Sequence, residues 1–219
     1  WAFDGKMDFS SLDTSGRLSC DRLRVDTEGL AGQALLPTEL SESLRAQAVS
    51  SIELTFSHKK GEGLRYALQA SPESLLVQLD QQDWQFTGGG GVVRIEDGVV
   101  SVDRLTGETL GGRASFSGEA DLRQESRQGL FSAEVSDISV ARVIQDPSLQ
   151  ELVTGQCAGR AEISVSFDSA GLHVDAEGGG EILDASFKGI HTEPVKWQFD
   201  ARSTDTVGGT PIAGQIQLD

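Results

Sequence analysis

The stretch Val92-Val93-Arg94-Ile95-Glu96-Asp97-Gly98-Val99-Val100-Ser101-Val102-Asp103-Arg104-Leu105 decides the fold class. Val93 and Ile95 alternate with charged residues, an acidic corner follows, and Val100, Val102 and Leu105 resume the apolar series. A side-chain period of two marks a half-buried strand. Asp-Gly between two such runs accepts positive φ at both centres of a type I′ turn. The stretch reads as a tight β-hairpin cornered at Asp97-Gly98.

The same period runs outward in both directions. Upstream it covers Phe3–Phe9, then Leu18, Cys20, Leu23 and Val25, where the step from Cys20 to Leu23 breaks phase and predicts a bulge. It returns at Ile52, Leu54 and Phe56, at Leu64, Tyr66, Leu68 and Ala70, at Leu75, Val77 and Leu79, and at Trp84 and Phe86. Downstream it passes through Ala114 and Phe116, Ala120 and Leu122, and Phe131, Ala133 and Val135. Ile163, Val165 and Phe167 form the clearest strand, joined through a Ser169-Ala170-Gly171 turn to Leu172, Val174 and Ala176. Ile182–Phe187, Val195–Ala201 and Ile212–Leu218 close the series. Turn signals at this spacing are those of an antiparallel meander. Gly88–Gly91 reads as a flexible turn rather than a phosphate loop, because no Lys-Ser/Thr and no helix follow it; Gly178–Gly180 reads as the same device.

Two segments leave this rhythm. Pro37–Val49, with Leu40, Leu44 and Ala48 spaced by four, and Val140–Val153, broken at Pro147, read as short amphipathic helices. Each precedes a clean strand, Ile52–Phe56 in one case and Ile163–Phe167 in the other, at an offset of about half the chain. The expected fold is therefore all-β with two short helices. A long antiparallel meander runs through two similar halves, 1–110 and 111–219, which share one continuous sheet and are not independent domains. In that repeat Phe56 and Phe167 are equivalent and belong on the same face.

Composition excludes several function classes. With 34 acidic and 18 basic residues the net charge is −16, which repels phosphate backbones, so no nucleic-acid partner is expected. His58, His173 and His191 are scattered, and no zinc or EF-hand spacing occurs, so neither a metal nor a cofactor is expected. With so many acids, two carboxylates at glycosidase spacing carry no information, and an aromatic content of 6% argues against a sugar-stacking cleft. No catalytic residue is assigned. Cys20 and Cys157 suit either one disulfide or two free thiols near the core. The opening Trp1-Ala2-Phe3-Asp4 already alternates, which reads as a segment of something longer.

What is left is the apolar strand face. A sheet with one apolar face must cover it with a second sheet, with helices or with a ligand, and only two short helices are on offer. From the residues alone both a closed sandwich and an open groove remain.

The run from Gly91 to Leu122, with its Asp97-Gly98 corner, the Leu105-Thr106-Gly107-Glu108-Thr109-Leu110-Gly111-Gly112 step and the closing Asp121-Leu122, resembles the AsmA-like proteins of diderm bacteria. Leu149–Ala161 is similar to the step that opens their C-terminal strands. Gly180–Ile190 departs from their pattern, since Ala185 follows Asp184 where the family has Gly. The resemblance implies that the two similar halves build a curved or U-shaped β-sheet groove, a non-catalytic periplasmic module of an envelope protein. Such a protein is tethered to the inner membrane by an anchor outside this segment and is involved in phospholipid transport or outer-membrane biogenesis. It implies that phospholipid acyl chains contact the clearest apolar positions, Ile52, Leu54, Phe56, Leu75, Val77, Leu79, Ile163, Val165 and Phe167. The alternative is a structural or adhesive β-repeat surface module with a closed core; a carbohydrate-active domain ranks third.

Overall fold

Alternating side chains, frequent Gly-containing corners and few helix formers at helical spacing leave the chain one economical way to satisfy its backbone, which is strand against adjacent strand. A computed structural model describes residues 2–8, 13–26, 44–79, 82–123, 127–144, 146–168, 171–203 and 212–218. The strands are β1 (Ala2–Asp8), β2 (Asp13–Asp26), β3 (Leu44–His58), β4 (Arg65–Leu79), β5 (Gln82–Glu96), β6 (Val99–Thr109), β7 (Gly112–Asp121) and β8 (Arg127–Ser139). Two single-turn helices, α1 (Val140–Val143) and α2 (Pro147–Gln150), come next. Then follow β9 (Val153–Asp168), β10 (Gly171–Phe187), the two-residue β11 (Ile190–His191), β12 (Val195–Ser203) and β13 (Ile212–Leu218). Every pairing is antiparallel, and the spatial order is the chain order, with β11 a spur on β10. The sheet is open, not a barrel, and β6 and β7 pair directly across the turn at residues 110 and 111, so the sheet has no break between the halves.

The hairpin that opened the sequence is present. Asp97 (φ 46°) and Gly98 (φ 86°) form the type I′ corner between β5 and β6. The same geometry recurs at Leu110-Gly111 and at Lys188-Gly189. The last of these replaces the Asp184-Gly corner that the sequence lacks, and Asp184 (φ 51°) sits in a bulge instead. The Cys20–Leu23 phase break is a bulge, as expected, opposite Ser50–Ile52.

Several expectations are corrected. Gly88–Gly91 is the middle of the fifteen-residue β5, not a turn. Its irregular pairing with β6 is one of a row of bulges that crosses every ladder from β2–β3 to β6–β7. Each bulge bends its own strand, so a contiguous row creases the sheet along one line. Gly178–Gly180 is likewise inside a strand, in regular register with both β9 and β12. The expected helix at Pro37–Val49 fails over its second half. Leu44–Val49 belongs to β3, where the pairing of Leu44–His58 with β4 outweighs a four-residue spacing that rested on only three apolar positions. Its first half lies outside the described residues, as do Ser169 and Ala170, though Asp168 pairs with Gly171 across them. The second helical segment is broken as predicted, and Asp146 caps α2 by accepting from Ser148 N at 2.8 Å. Phe56 and residue 167 occupy register positions on one face, traced from Phe56 to Tyr66 and from Leu68 through Ile95, Val100, Ala120 and Gly129 to Val165.

The core is thin. Among the described residues only Ile138 and Ala185 are buried apolar side chains, joined by Ser50, Thr109 and Ser186. Apart from Ser50 these lie where β6, β8 and β10 end beside the helices. There Thr154 and Ser186 share a 2.7 Å hydrogen bond, and Lys188 N donates to Leu152 O at 2.7 Å. The accessible surface is 14646 Å². A compact monomer of this mass would expose roughly 9,700 Å². The excess is what a single uncovered layer requires.

Bulge positions also carry strain. Arg104, exposed in the β6 bulge, has φ 42°, a region that penalises a Cβ. Arg104→Gly is expected to raise the unfolding free energy by about 0.5–1 kcal/mol in urea titrations. At the β7 end, Asp121 accepts three hydrogen bonds from Arg123, at 2.9, 2.9 and 2.7 Å. These hold its carboxyl well below the usual range, at about 2. A depressed carboxylate contributes stability above its unfolded pKa, and that contribution fades as pH falls from about 4 through about 2. Carboxyl NMR titration of Arg123→Ala should return Asp121 toward 3.8, the ordinary value.

Candidate functional site

Direct cross-strand partners share a face, so the register sorts the sheet into two surfaces. One is polar and laced with surface ion pairs. Arg17 contacts Glu53, Arg22 lies 3.4 Å from Glu73, and Arg202 lies 3.4 Å from Asp200. Exposed pairs of this kind add little stability. The other surface is apolar. Across β1 to β4 it presents Phe3, Leu18, Leu54 and Leu68 in one row, and Cys20, Ile52 and Ala70 in the next. Across β8 to β10 it presents Phe131, Ile163 and Ala176, then Gly129, Val165 and Val174.

Of the nine positions expected to contact acyl chains, Ile52, Leu54, Phe56, Leu75, Ile163 and Val165 lie on this face, each half-buried. Leu75 reaches it only because a bulge between Ala70 and Ser74 shifts the phase of β4. Val77, Leu79 and Phe167 continue the same ladders, and their side chains lie outside the described residues. The sheet brings the β3 and β4 positions together. The β9 positions are five ladders beyond β4, on the order of 24 Å at 4.8 Å per ladder, so the nine make a band and not a pocket.

Sequence reasoning missed how this face is surfaced. Its aromatic rings lie over glycines of the same strand or of strands one or two places away in the sheet. A Cβ at Gly16 would come within 2.6 Å of Phe56 Cζ, one at Gly129 within 2.8 Å of Phe131 Cε2, and one at Gly178 within 2.6 Å of Phe199 Cε1. At Gly159 the obstacle is Trp197, with Cη2 at 2.8 Å. Phe116 and Phe131 stack with centroids 5.1 Å apart, and Trp197 and Phe199 with centroids 6.0 Å apart. Glycine leaves a hollow into which the ring lies flat, so the rings pave the sheet instead of standing off it. A glycine at an apolar-phase position inside a strand pattern was the available signal.

Cys20 and Cys157 are free thiols on β2 and β9. Seven ladders separate those strands, on the order of 30 Å, far beyond disulfide reach. Burial pushes the Cys157 thiol up, against a weaker opposing pull from the neighbouring Trp197 indole. Trp197 Nε1 itself has no hydrogen bond of normal geometry. Among the described residues no group of three His, Cys, Asp or Glu is placed to hold a metal ion, and no helix is long and apolar enough to cross a membrane. Four surface depressions lie on the polar face or at hairpin turns. One of them, of about 700 Å³, lies at the β6–β7 turn between β5 and α1. None of the four opens on the apolar rows of β1–β4.

No family model, curated protein or solved structure matches this chain. The functional reading therefore rests on the two faces of the sheet.

Proposed function

We propose that this chain is a non-catalytic β-groove segment of an AsmA-like envelope protein, and that its apolar sheet face contacts phospholipid acyl chains in the periplasm. One observation carries the reading: twelve strands present a paved apolar face that no second layer covers among the described residues. Apolar burial is non-directional and gains roughly 25 cal/mol per Å², so a long flat face suits a flexible hydrocarbon of unspecified length. The polar face, with its acids and ion pairs, suits the opposite side of such a groove, turned to water. The resemblance supplies the envelope context, with an inner-membrane anchor outside these residues and a part in phospholipid transport or outer-membrane biogenesis. The adhesive alternative assumes a closed core, and a sheet that is not closed into a barrel favours the groove reading over it.

The test is native mass spectrometry of the chain expressed in a diderm bacterium, with a photo-crosslinking residue at Leu54 or Val165. Co-purifying phospholipid and crosslinks to acyl carbons are expected at these positions and not at Thr55 or Ser164 on the polar face. Lipid-free protein with crosslinks only to other proteins would sink the idea.

A further inference from the structure

We infer that the row of bulges folds the apolar face into a furrow running across β2 to β7, and that one acyl chain of a phospholipid lies along it, at right angles to the strands; that acyl chains reach this face at all rests on the reading above. Cys20, Ile52, Ala70, Val93, Val102 and Gly118 are successive register partners and form one row across these strands. Every ladder between them loses its register beside that row, always on the same side of it.

The extra residues add to the polar side. Asp21 and Arg22 together stand opposite Ser51, Asp103 and Arg104 together stand opposite Ser117, and Glu73 is inserted between the pairs Ser50–Pro72 and Val49–Ser74. Asp21, Arg22, Glu73, Asp103 and Arg104 are all exposed, and Arg22 reaches Glu73 over β3 at 3.4 Å. Each bulge bends its strand, and a sheet with more residues on one side curves toward the other, here the apolar side. The apolar side of the line is withdrawn accordingly. Leu23, Ala70, Val93, Val102 and Leu105 are half-buried. Ser50, in the same register, is only 4% exposed, although no second layer covers it among the described residues. β5 crosses the line with Gly88–Gly91 and puts no side chain into it.

The floor carries no charge. Its one hydroxyl, Ser50 Oγ, donates to Ser51 O at 2.9 Å and needs no polar group from a ligand. The furrow also has an end. At β7 the Phe131 ring fills the hollow over Gly118 and stacks on Phe116 with centroids 5.1 Å apart, and the β7–β8 ladder is regular. The next bulges, at Val135–Ile138 on β8 and Leu183–Ser186 on β10, lie further toward the helices. From β2 to β7 the furrow is on the order of 24 Å long. One acyl chain spans roughly 15 Å of a bilayer, half of its hydrocarbon core, so a single chain fits here even when stretched. A hydrocarbon in a concave line touches both flanks. At roughly 25 cal/mol per Å² it gains more there than when laid along one strand.

The experiment loads the whole chain from phosphatidylcholine vesicles whose lipid carries a nitroxide on an early, a middle or the terminal carbon of one acyl chain. Broadening of backbone amide signals is then read in the reisolated complex. As the label moves down the chain, the strongest broadening should pass from strand to strand along Leu23, Ser50, Ala70, Val93 and Val102, in either sense. Ser50→Trp, which fills the floor at β3, should lower the phospholipid retained at least about threefold, whereas Thr55→Trp on the polar face should leave it unchanged. Ser50→Leu serves if the tryptophan variant does not fold. Broadening that passes along one strand, or that spreads equally over β8 to β10 with every label, overturns the furrow and leaves the acyl-chain reading standing. Undiminished lipid in the Ser50 variant does the same. A chain that retains no phospholipid, or shows no broadening on the apolar face, overturns the acyl-chain reading and the furrow with it.

Discussion

Gly180→Ala lowers the unfolding free energy by about 3 kcal/mol, a large effect for a one-carbon change. Gly180 pairs with Gly159 on one side and Trp197 on the other, in the middle of three regular strands. A methyl group there meets the carbonyl oxygen of Ala158 and comes within 2.6 Å of Gly159 Cα. Both obstacles are backbone, so no rotamer change relieves them, and the β9–β10 ladder must open locally. Gly63, where an added Cβ meets nothing within 4 Å, is the control. Gly63→Ala should shift stability by no more than about 0.5 kcal/mol. Urea denaturation followed by circular dichroism separates the two. Equal midpoints would mean that the strands do not approach as closely as the structure places them.

The second large effect comes from the paving. Phe131 covers glycine on both sides, Gly118 on β7 and Gly129 on its own strand, and stacks on Phe116 at 5.1 Å. Phe131→Ala uncovers both glycines and removes the stack. For a fully buried phenylalanine such a change costs about 3–5 kcal/mol; Phe131 is half-buried, so about 2 kcal/mol is expected. Phe131→Leu, which keeps apolar area but not the flat ring, should recover less than half of that loss. Full recovery by leucine would show that area alone matters and that the ring-over-glycine geometry does not. The same variants bear on the proposed function, because an unpaved strip in the middle of the face should also reduce acyl-chain crosslinking at Val165, two ladder positions away.

Much of the architecture was legible in the sequence because its controlling forces are local. Period two in Ile52–Phe56 or Ile163–Phe167 states which side chains share a face, and Asp97-Gly98 states where the chain reverses. The broken phase at Cys20–Leu23 states that an extra residue must be absorbed. Reading failed where two strands, rather than one, set the conformation. Gly88–Gly91 and Gly178–Gly180 look like turns to a single chain, and become strand interiors once neighbouring backbones and rings fill the space their missing side chains leave. Leu44–Val49 looked helical by spacing until β4 offered it a ladder.

The sequence by itself determined an all-β meander with one apolar and one polar face, since alternation and turn chemistry are properties of adjacent residues. Only the tertiary structure decided that the apolar face stays open, because closure depends on strand count, bulges and twist summed over the whole sheet. It alone placed rings over glycines, and it alone set the bulges of neighbouring ladders side by side in one line. Those contacts join residues with no common period, and a pattern read along one chain carries no record of which strand will lie beside it.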